Sequence, residues 1–440
     1  MKNIRLPEYV KTPVSLLGRE GFECFIVGGC VRDILSGKKP NDFDMTTSAT
    51  PDEMLSVFKG YKVIETGIKH GTLTVVSNGN NLEITTYRTD GEYKDNRHPE
   101  SVRFSRNIAD DLSRRDFTVN AMAYSDDRGV VDLFGGQDDL RNKLIRCVGE
   151  PDKRFNEDGL RIMRALRFAA TLGFEIEPKT AESIHKNRAL LGNIAVERIF
   201  TEFKKLVCGK RAAEILREYA DVIAVFIPEI EPMIGFDQRT KYHCFDVYEH
   251  TLKALSNCPE DDQILRLAIF FHDIGKPHCL TIDDLGGHFK GHDKKGAEIT
   301  DNILRRLRSD NATREAVTRL ISEHCIQIAP TEKAVKRFLS THSFDEARRA
   351  VALNRADKLA CAPEYRITEI HAKLDALIDK IEADGACFTL RDLAINGHDL
   401  SELGLKGKKI GEALDAALDA VIDGRVNNEI SELIEFIKAR

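Results

Sequence analysis

Residues 28–44 read GGCVRDILSGKKPNDFD: a glycine pair, a short amphipathic run, then two aspartates one residue apart. The residues just before, 22–27, are apolar except for Glu23, as expected of a short buried strand that runs into a Gly28-Gly29 turn and delivers a helix. Glycines at such a turn let backbone N–H groups approach an anion, and the helix N-terminus behind them adds a partial positive charge suited to phosphate. Arg32 and Asp33 fall in the first turns of that helix. Asp42 and Asp44 flank Phe43, and in an extended strand over 42–47 residues i and i+2 share a face, so the two carboxylates lie side by side. Carboxylates together with substrate phosphates are the usual way to hold Mg²⁺, and two such ions can clamp the attacking and leaving oxygens of a phosphoryl displacement. Alone, a DxD pattern is short and common, and PNDFD suits a surface turn. The strand, glycine turn and helix upstream shift the balance to a metal.

A chain of 440 residues is long enough for several domains. Hydrophobic content of 42% and charged content of 31% describe a globular protein, with no apolar run near the length of a membrane span. The N-terminus, MKNIRLPEYV, has no apolar stretch of the secretory kind. Ten cysteines without a CxxC pair argue for a reduced, cytoplasmic compartment and against a zinc ribbon. A net charge of −6 excludes a chain that is basic throughout, so any nucleic-acid contact has to come from a local stripe.

Strand-like segments concentrate before residue 135, at 22–27, 42–47, 71–77 and 82–87, the last two flanking Asn78-Gly79, a strong hairpin signal. Beyond Leu140 apolar residues recur at helical spacing, with loops at Gly149-Pro151, Gly235, Gly286-Gly287 and Gly385. A small head of strands and helices thus leads a long helical body. Glu83, in LEITTYR, could add a third carboxylate from a neighbouring strand, or simply alternate outward between Leu82 and Ile84. The polar stretch RTDGEYKDNRHPESVRF that follows reads as a mobile loop, either a lid or an insertion.

Two further segments carry arginines. In RRDFTVNA, Arg114 and Arg115 can pair with phosphate oxygens, and Asp116 and Asn120 can meet a ribose hydroxyl. In NEDGLRIMRALRFAATLG, a helix is expected from Asn156 as N-cap to Gly173. There Asp158, Arg161, Arg164 and Arg167 recur every third residue as a slanting polar ridge. The ridge is either a solvated face with an Asp158–Arg161 ion pair or a base-reading edge, with Arg164 and Arg167 reaching phosphates.

GGCVRD with DFD, RRDFTVNA, DLFGGQDDL at 132–140 and EDGLRIMRALRF stand in one order, and together they resemble the class II tRNA nucleotidyltransferases, that is, the CCA-adding enzymes and the related bacterial poly(A) polymerases. AVERIFTEF at 195–203 is similar to a fifth motif of that family. The resemblance implies an α+β architecture: a nucleotidyltransferase head (1–140) with a small mixed sheet, an all-α neck (141–235), a helical body (236–380) and a helical tail (381–440) that contacts tRNA. It implies that Asp42 and Asp44 hold two Mg²⁺ ions with help from Glu83, and that Gly28, Gly29, Arg32 and Arg115 meet the incoming nucleotide. It further implies that Asp116 reads the ribose, and that Asp158 and Arg161 template the base with Arg164 and Arg167 nearby. The partners implied are tRNA, CTP and ATP, with DLFGGQDDL helping the site reshape between the two nucleotides. The stretch YKVIETGIKHGTLTVV lacks the arginine cluster of poly(A) polymerases, and EYKDNRHP resembles the flexible loop of enzymes that add all three nucleotides rather than CC or A alone.

Seven of the thirteen histidines fall between His243 and His324. His272-Asp273 follows the apolar LRLAIFF and precedes Gly275, so both side chains emerge at the end of a buried helix. With His250, His292, His324 and Asp357 the set resembles an HD domain over about 240–365, a helical metal-dependent phosphohydrolase fold. Mixed nitrogen and oxygen ligands suit a divalent transition metal whose identity the sequence leaves open. His185 and His371, by contrast, read as core histidines. A rival function follows, a phosphohydrolase whose head merely recruits RNA, and a third, a non-catalytic RNA-binding protein. Basic positions Lys204, Lys205, Lys210 and Arg211, and Lys406, Lys408 and Lys409 in GLKGKKIGEAL, are candidate RNA contacts or solvated faces.

Overall fold

The computed structural model describes residues 4–91, 102–284 and 286–440. The chain divides into two compact units, Met1–Pro228 and Glu229–Arg440.

The first unit is built on strands β1 (Cys24–Val27), β2 (Asp44–Thr47), β3 (Lys62–Ile64), β4 (Thr72–Ser77), β5 (Asn80–Thr86), β6 (Arg88–Asp90), β7 (Val102–Phe104), β8 (Met122–Ser125) and β9 (Gly129–Asp132). Seven of them form one mixed sheet in the order β3-β4-β5-β2-β1-β8-β9. The β2–β5 pair is parallel and the β1–β2 pair antiparallel. All four residues of β1 are buried, because the sheet is covered on both faces. On one side Val10, Leu17, Ile26, Met45, Val75 and Ile84 pack together; on the other Phe25, Val27, Tyr87, Ile108 and Leu112 do. The Asn78-Gly79 turn has positive φ at both residues, 47° and 78°, the geometry that matches strand twist in a two-residue hairpin.

Several elements differ from the sequence reading. The strand expected over 42–47 begins at Asp44, so Asp42 lies in the chain leading into it. β8 and β9 were not expected, since MAYSDDRGVVD holds charged turn residues within a short span. The polar stretch is not a single loop: β6 and β7 at its ends pair antiparallel, and EYKDNRHP lies outside the described residues. The helix expected from Asn156 is two helices, Pro151–Glu157 and Leu160–Leu172, with a break at Asp158, whose φ of −142° and ψ of 105° are extended. Gly159 follows that break, and glycine's low helix propensity suits it. The C-terminal limit at Gly173 is as expected, with φ of 75°. Beyond Leu140 the chain is not wholly helical, for Leu144–Ile145 pairs with Glu175–Ile176.

In the second unit, helices Val247–Ser256, Gln263–Phe271, His292–Arg306, Asn311–Glu323 and Phe344–Ala360 carry the histidine cluster. Gly286-Gly287 is no loop but part of a two-stranded ribbon, Thr281–Asp283 with Gly286–His288. Helices Gly397–Glu402, Lys408–Ile422 and Ile430–Lys438 follow, packed around Ile395, Leu400, Ala417 and Leu433. Among the described residues no helix is long and apolar enough to cross a membrane. His371 is buried and bonds Asn354 Oδ1 at 2.8 Å, as a core histidine should. His185 is not core: it is half-exposed, stacked on Tyr219 and paired with Asp221 at 3.0 Å.

Candidate active site

β1 ends at Val27 and the chain turns at Gly28, which has φ of 81° and donates its N–H to Met122 O. A Cβ there would stand 3.0 Å from Arg115 Nη1, so glycine serves both the backbone angle and the guanidinium lying over the turn. Gly29 then starts the helix Gly29–Leu35 that carries Arg32.

Asp44 opens β2 and stands in register with Glu83 on parallel β5, which places both side chains on one face of the sheet. Asp42, Asp44 and Glu83 are all exposed. Burial of its surroundings, then the Asp42 carboxylate, raise the Asp44 pKa, with Glu83 adding to the rise and Arg115 opposing it. The site is thus an excess of negative charge, which a divalent cation would relieve. The three carboxylates do not converge into a ready three-ligand cluster among the described residues. Two hard oxygen donors open to solvent fit Mg²⁺, which usually takes one or two carboxylates and completes its shell with water and substrate phosphate.

A hydrogen-bonded relay leads from this turn to the second helix. Arg32 Nη1 donates to Asn120 Oδ1 at 2.6 Å, Asn120 Nδ2 to Asp116 Oδ1 at 3.2 Å, and Arg164 Nε to Asp116 Oδ2 at 2.8 Å. Burial alone would raise the Asp116 pKa, but the Arg164 guanidinium and the Asn120 amide more than offset it and hold the group at about 2. Asp111, fully buried, anchors Arg114 at 2.6 Å and Arg115 at 3.1 Å.

The polar ridge is neither of the two readings in simple form. Asp158 does not pair with Arg161; its Oδ1 accepts the Leu160 N–H at 3.0 Å, and its Oδ2 pairs with Arg198 at 3.1 Å. Arg161 donates to Glu157 at 2.7 Å and to Arg114 O at 2.9 Å. Arg164 is held by Asp116, and Arg167 by Glu202 at 2.7 Å, so both are committed inside the unit rather than displayed as a loose phosphate grip. Phe168 lies under the guanidinium groups of Arg32, Arg164 and Arg167. Sequence reasoning missed Phe168, Arg198 and Glu202. The last two sit in the AVERIFTEF helix Val196–Val207, at positions that face the ridge only in three dimensions.

DLFGGQDDL makes a tight joint. Asp132 accepts from the N–H groups of Gly136 and Gln137, each at 2.8 Å, and a Cβ at Gly136 would strike Thr118 O at 2.3 Å. Of the neck cations, Arg211 is occupied by Glu175 at 2.6 Å and Phe174 O at 3.0 Å, and Lys204 lies over Phe200; Lys205 and Lys210 are exposed.

In the second unit His250, His272, Asp273 and Asp357 offer ligand atoms within 4.8 Å of one another. His250 Nε2 lies 2.8 Å from Asp357 Oδ1, and His272 Nε2 lies 3.2 Å from Asp273 Oδ2. His272 Nδ1 donates to Ile269 O, which turns its Nε2 inward; that nitrogen is buried and makes no hydrogen bond. Such an orphaned donor set fits a divalent transition metal. His292 Nε2 lies 3.5 Å from Asp273 Oδ1 and 3.2 Å from His324 Nε2, so all six residues picked from the sequence meet. Four of them, Asp273, His292, His324 and Asp357, line a cavity of about 740 Å³ with Lys276, His243 and Cys325, none of which the sequence reading selected. Adjacency of Cys325 to His324 was the available signal.

Models of known families match three segments: a poly A polymerase head domain over residues 24–146, a probable RNA and SrmB- binding site of polymerase A over 173–234, and an HD domain over 240–384. A CCA-adding enzyme of Ligilactobacillus salivarius is 33% identical over 438 residues, covering 98% of this chain and 97% of its own. One from Pediococcus pentosaceus is 46% identical over 237 residues, 54% of this chain; the chain spans 58% of that relative's length and 53% of the Geobacillus thermodenitrificans one. Among solved structures, the Bacillus stearothermophilus CCA-adding enzyme in complex with CTP superposes with a TM-score of 0.74 at 29% identity, over 99% of this chain and 98% of that one. The Thermotoga maritima enzyme complexed with tRNA shares the fold, with a TM-score of 0.63 at 21% identity.

Proposed function

The chain belongs to the CCA-adding enzymes, and from that premise we propose that it extends the 3′ end of tRNA by C, C and A, taken from CTP and ATP without a nucleic-acid template, with release of pyrophosphate. The observation that carries the reading is the juxtaposition, within one unit, of an acidic group on neighbouring strands (Asp42, Asp44, Glu83), a glycine turn under Arg115, and an Asp116 relay to the helix that carries Arg161 and Arg164, with Asp158 just ahead of it.

Asp42 and Asp44 would hold Mg²⁺, two ions in this reading, with Glu83 assisting; the metal supplies charge stabilisation at the attacking and leaving oxygens. Gly28, Gly29, Arg32 and Arg115 would receive the triphosphate at the helix start. Asp116, kept ionised by Arg164, would accept from a ribose hydroxyl. Asp158 and Arg161 would present an acceptor and donors to the base edge, positioned by Arg198 and Glu157, and Arg164 and Arg167 would brace that edge through Asp116 and Glu202. The RNA 3′-hydroxyl attacks the α-phosphate directly, so no covalent enzyme intermediate is needed. Head, neck, body and tail, at 1–140, 141–235, 236–380 and 381–440, divide the work, and the protein acts in the cytoplasm, where tRNA is matured. The HD residues hold a divalent transition metal.

The test uses purified protein with tRNA transcripts ending before the first C, after one C and after both, each nucleotide supplied separately. Stepwise addition stopping after C, C and A is expected. A homopolymeric A tail would mark a poly(A) polymerase, and arrest after CC, or addition of A only, a partial enzyme. No incorporation, with phosphodiester hydrolysis in a transition metal, would give the protein to the phosphohydrolase reading instead.

A further inference from the structure

Phe168 stands on the helix Leu160–Leu172 with only 6% of its surface exposed, and three guanidinium groups gather around its ring. Arg167 Cζ lies 3.6 Å from the ring centroid, Arg32 Cζ 5.2 Å and Arg164 Cζ 5.3 Å. Phe117, buried in the core, meets the ring in a T-shaped contact at 5.9 Å between centroids and fixes its tilt. Three like charges drawn to one place repel one another and are partly stripped of water. Burial pulls the Arg167 pKa down, Glu202 opposes the fall, and Arg164 adds to it. Each cation has polar partners of its own: Asp33 and Asn120 for Arg32, Asp116 for Arg164, and Glu202 for Arg167. The ring is common to all three, and its electron-rich face attracts a cation more strongly where water is excluded.

The three arginines serve different parts of the site. Arg32 belongs to the helix that starts at the Gly28-Gly29 turn, where the triphosphate would dock. Arg164 holds the carboxylate of Asp116, which would take the ribose. Arg167 ties the same ring to the helix Val196–Val207 through Glu202. An aliphatic side chain could fill this space, but it would not draw Arg32 and Arg164 to one seat.

We propose that Phe168 is a positioning residue for the nucleotide: its ring face sets Arg32 against Arg164, and with them the spacing between the triphosphate and ribose subsites. The inference rests on the reading of the site given above, and it separates Phe168 from the base-reading pair. Asp158 and Arg161 choose between C and A, whereas Phe168 supports what CTP and ATP have in common. Its loss therefore weakens both nucleotides alike and leaves the choice between them unchanged.

Full-length protein carrying phenylalanine or mono-, di- or trifluorophenylalanine at Phe168, together with Phe168→Leu, is titrated with CTP, ATP and 2′-deoxy-CTP. The same proteins are then assayed for single-turnover incorporation into a tRNA transcript lacking its end. Fluorine draws electron density from the ring face while barely changing its shape, so a packing role is blind to the series. Dissociation constants for CTP and ATP are expected to rise together with each added fluorine, reaching about tenfold in the trifluoro protein and in Phe168→Leu. The preference for CTP over its 2′-deoxy analogue should narrow in the same steps, as Asp116 loses its alignment. The ratio of CTP to ATP affinity should not move. Unchanged affinities across the fluorinated series, or a CTP-to-ATP ratio that shifts with it, overturn the proposal. Wild type that binds both nucleotides yet adds neither to tRNA would overturn the nucleotidyltransferase reading instead, while the affinities still decide the role of the ring.

Discussion

Asp44 and Glu83 stand opposite each other on neighbouring parallel strands, in the same register step. Like charges directly opposite destabilise a sheet, and here Asp42 adds a third. A site that accumulates repulsion at an exposed strand end is arranged for a cation. Asp44→Asn should therefore leave the fold intact, or slightly stabilise it, while CTP and ATP incorporation both fall about a thousandfold or more, the several kcal/mol that metal-borne charge stabilisation supplies. Glu83→Gln should cost less, because it sits one strand further from Asp42. Thermal melts beside single-turnover incorporation assays separate the two effects; a stability loss that parallels the activity loss would make the pair structural.

Asp158 has two jobs that one substitution can split. Just ahead of the N-cap Gly159 one of its oxygens accepts the Leu160 N–H, and the other pairs with Arg198. Asp158→Asn keeps an accepting oxygen and should change stability by only a few tenths of a kcal/mol, whereas Asp158→Ala, which leaves the Leu160 N–H without that acceptor, should cost about 1 kcal/mol. Both should degrade the choice between CTP and ATP at each step, since the carboxylate is gone in either case. The check is nucleotide competition on a tRNA lacking its last residue, with equal misincorporation by wild type and Asp158→Asn as the adverse result.

Acid should weaken the relay in a predictable window. The folded pKa of Asp116 is depressed to about 2 from 3.8, so its ionised form contributes stability that is complete above about pH 4 and lost as pH falls toward 2. The shift corresponds to roughly 2 kcal/mol. Asp116→Asn should be less stable than wild type by about that amount at pH 7, with the gap closing on acidification below pH 4, as measured by urea unfolding at stepped pH. A gap that stays constant down to pH 2.5, on the order of the folded pKa, would mean that packing and not charge accounts for the loss.

How much of this was legible in the sequence depends on how far apart the partners lie along the chain. The strand, Gly28-Gly29 turn and helix are local, and so is the Asn78-Gly79 hairpin; propensity and spacing reveal both. The Asp158 break was not read, because Glu157 and Asp158 suit the first turn of a helix starting at Asn156, and only Gly159 hinted at an interruption. Pairings such as Arg167 with Glu202 and Arg164 with Asp116 join residues 35 and 48 positions apart, which no periodicity encodes. The six residues proposed to hold the HD metal were picked through resemblance, whereas Cys325, beside His324, matched no motif and was passed over.

The tail offers the last test. Lys408 and Lys409 occupy the first turn of the helix Lys408–Ile422, with Lys406 just ahead, so three cations crowd the positive end of a helix dipole. Lys408 is almost wholly exposed, and its ion pair with Glu412 at 3.4 Å only partly offsets the crowding. Replacing the three lysines by glutamine should stabilise the helix by a few tenths of a kcal/mol each and yet weaken tRNA binding. The slope of log affinity against log salt should flatten by about one for each RNA phosphate that a lysine no longer neutralises. Opposite signs for stability and affinity would show that the charges serve a ligand; an unchanged slope would return them to solvent.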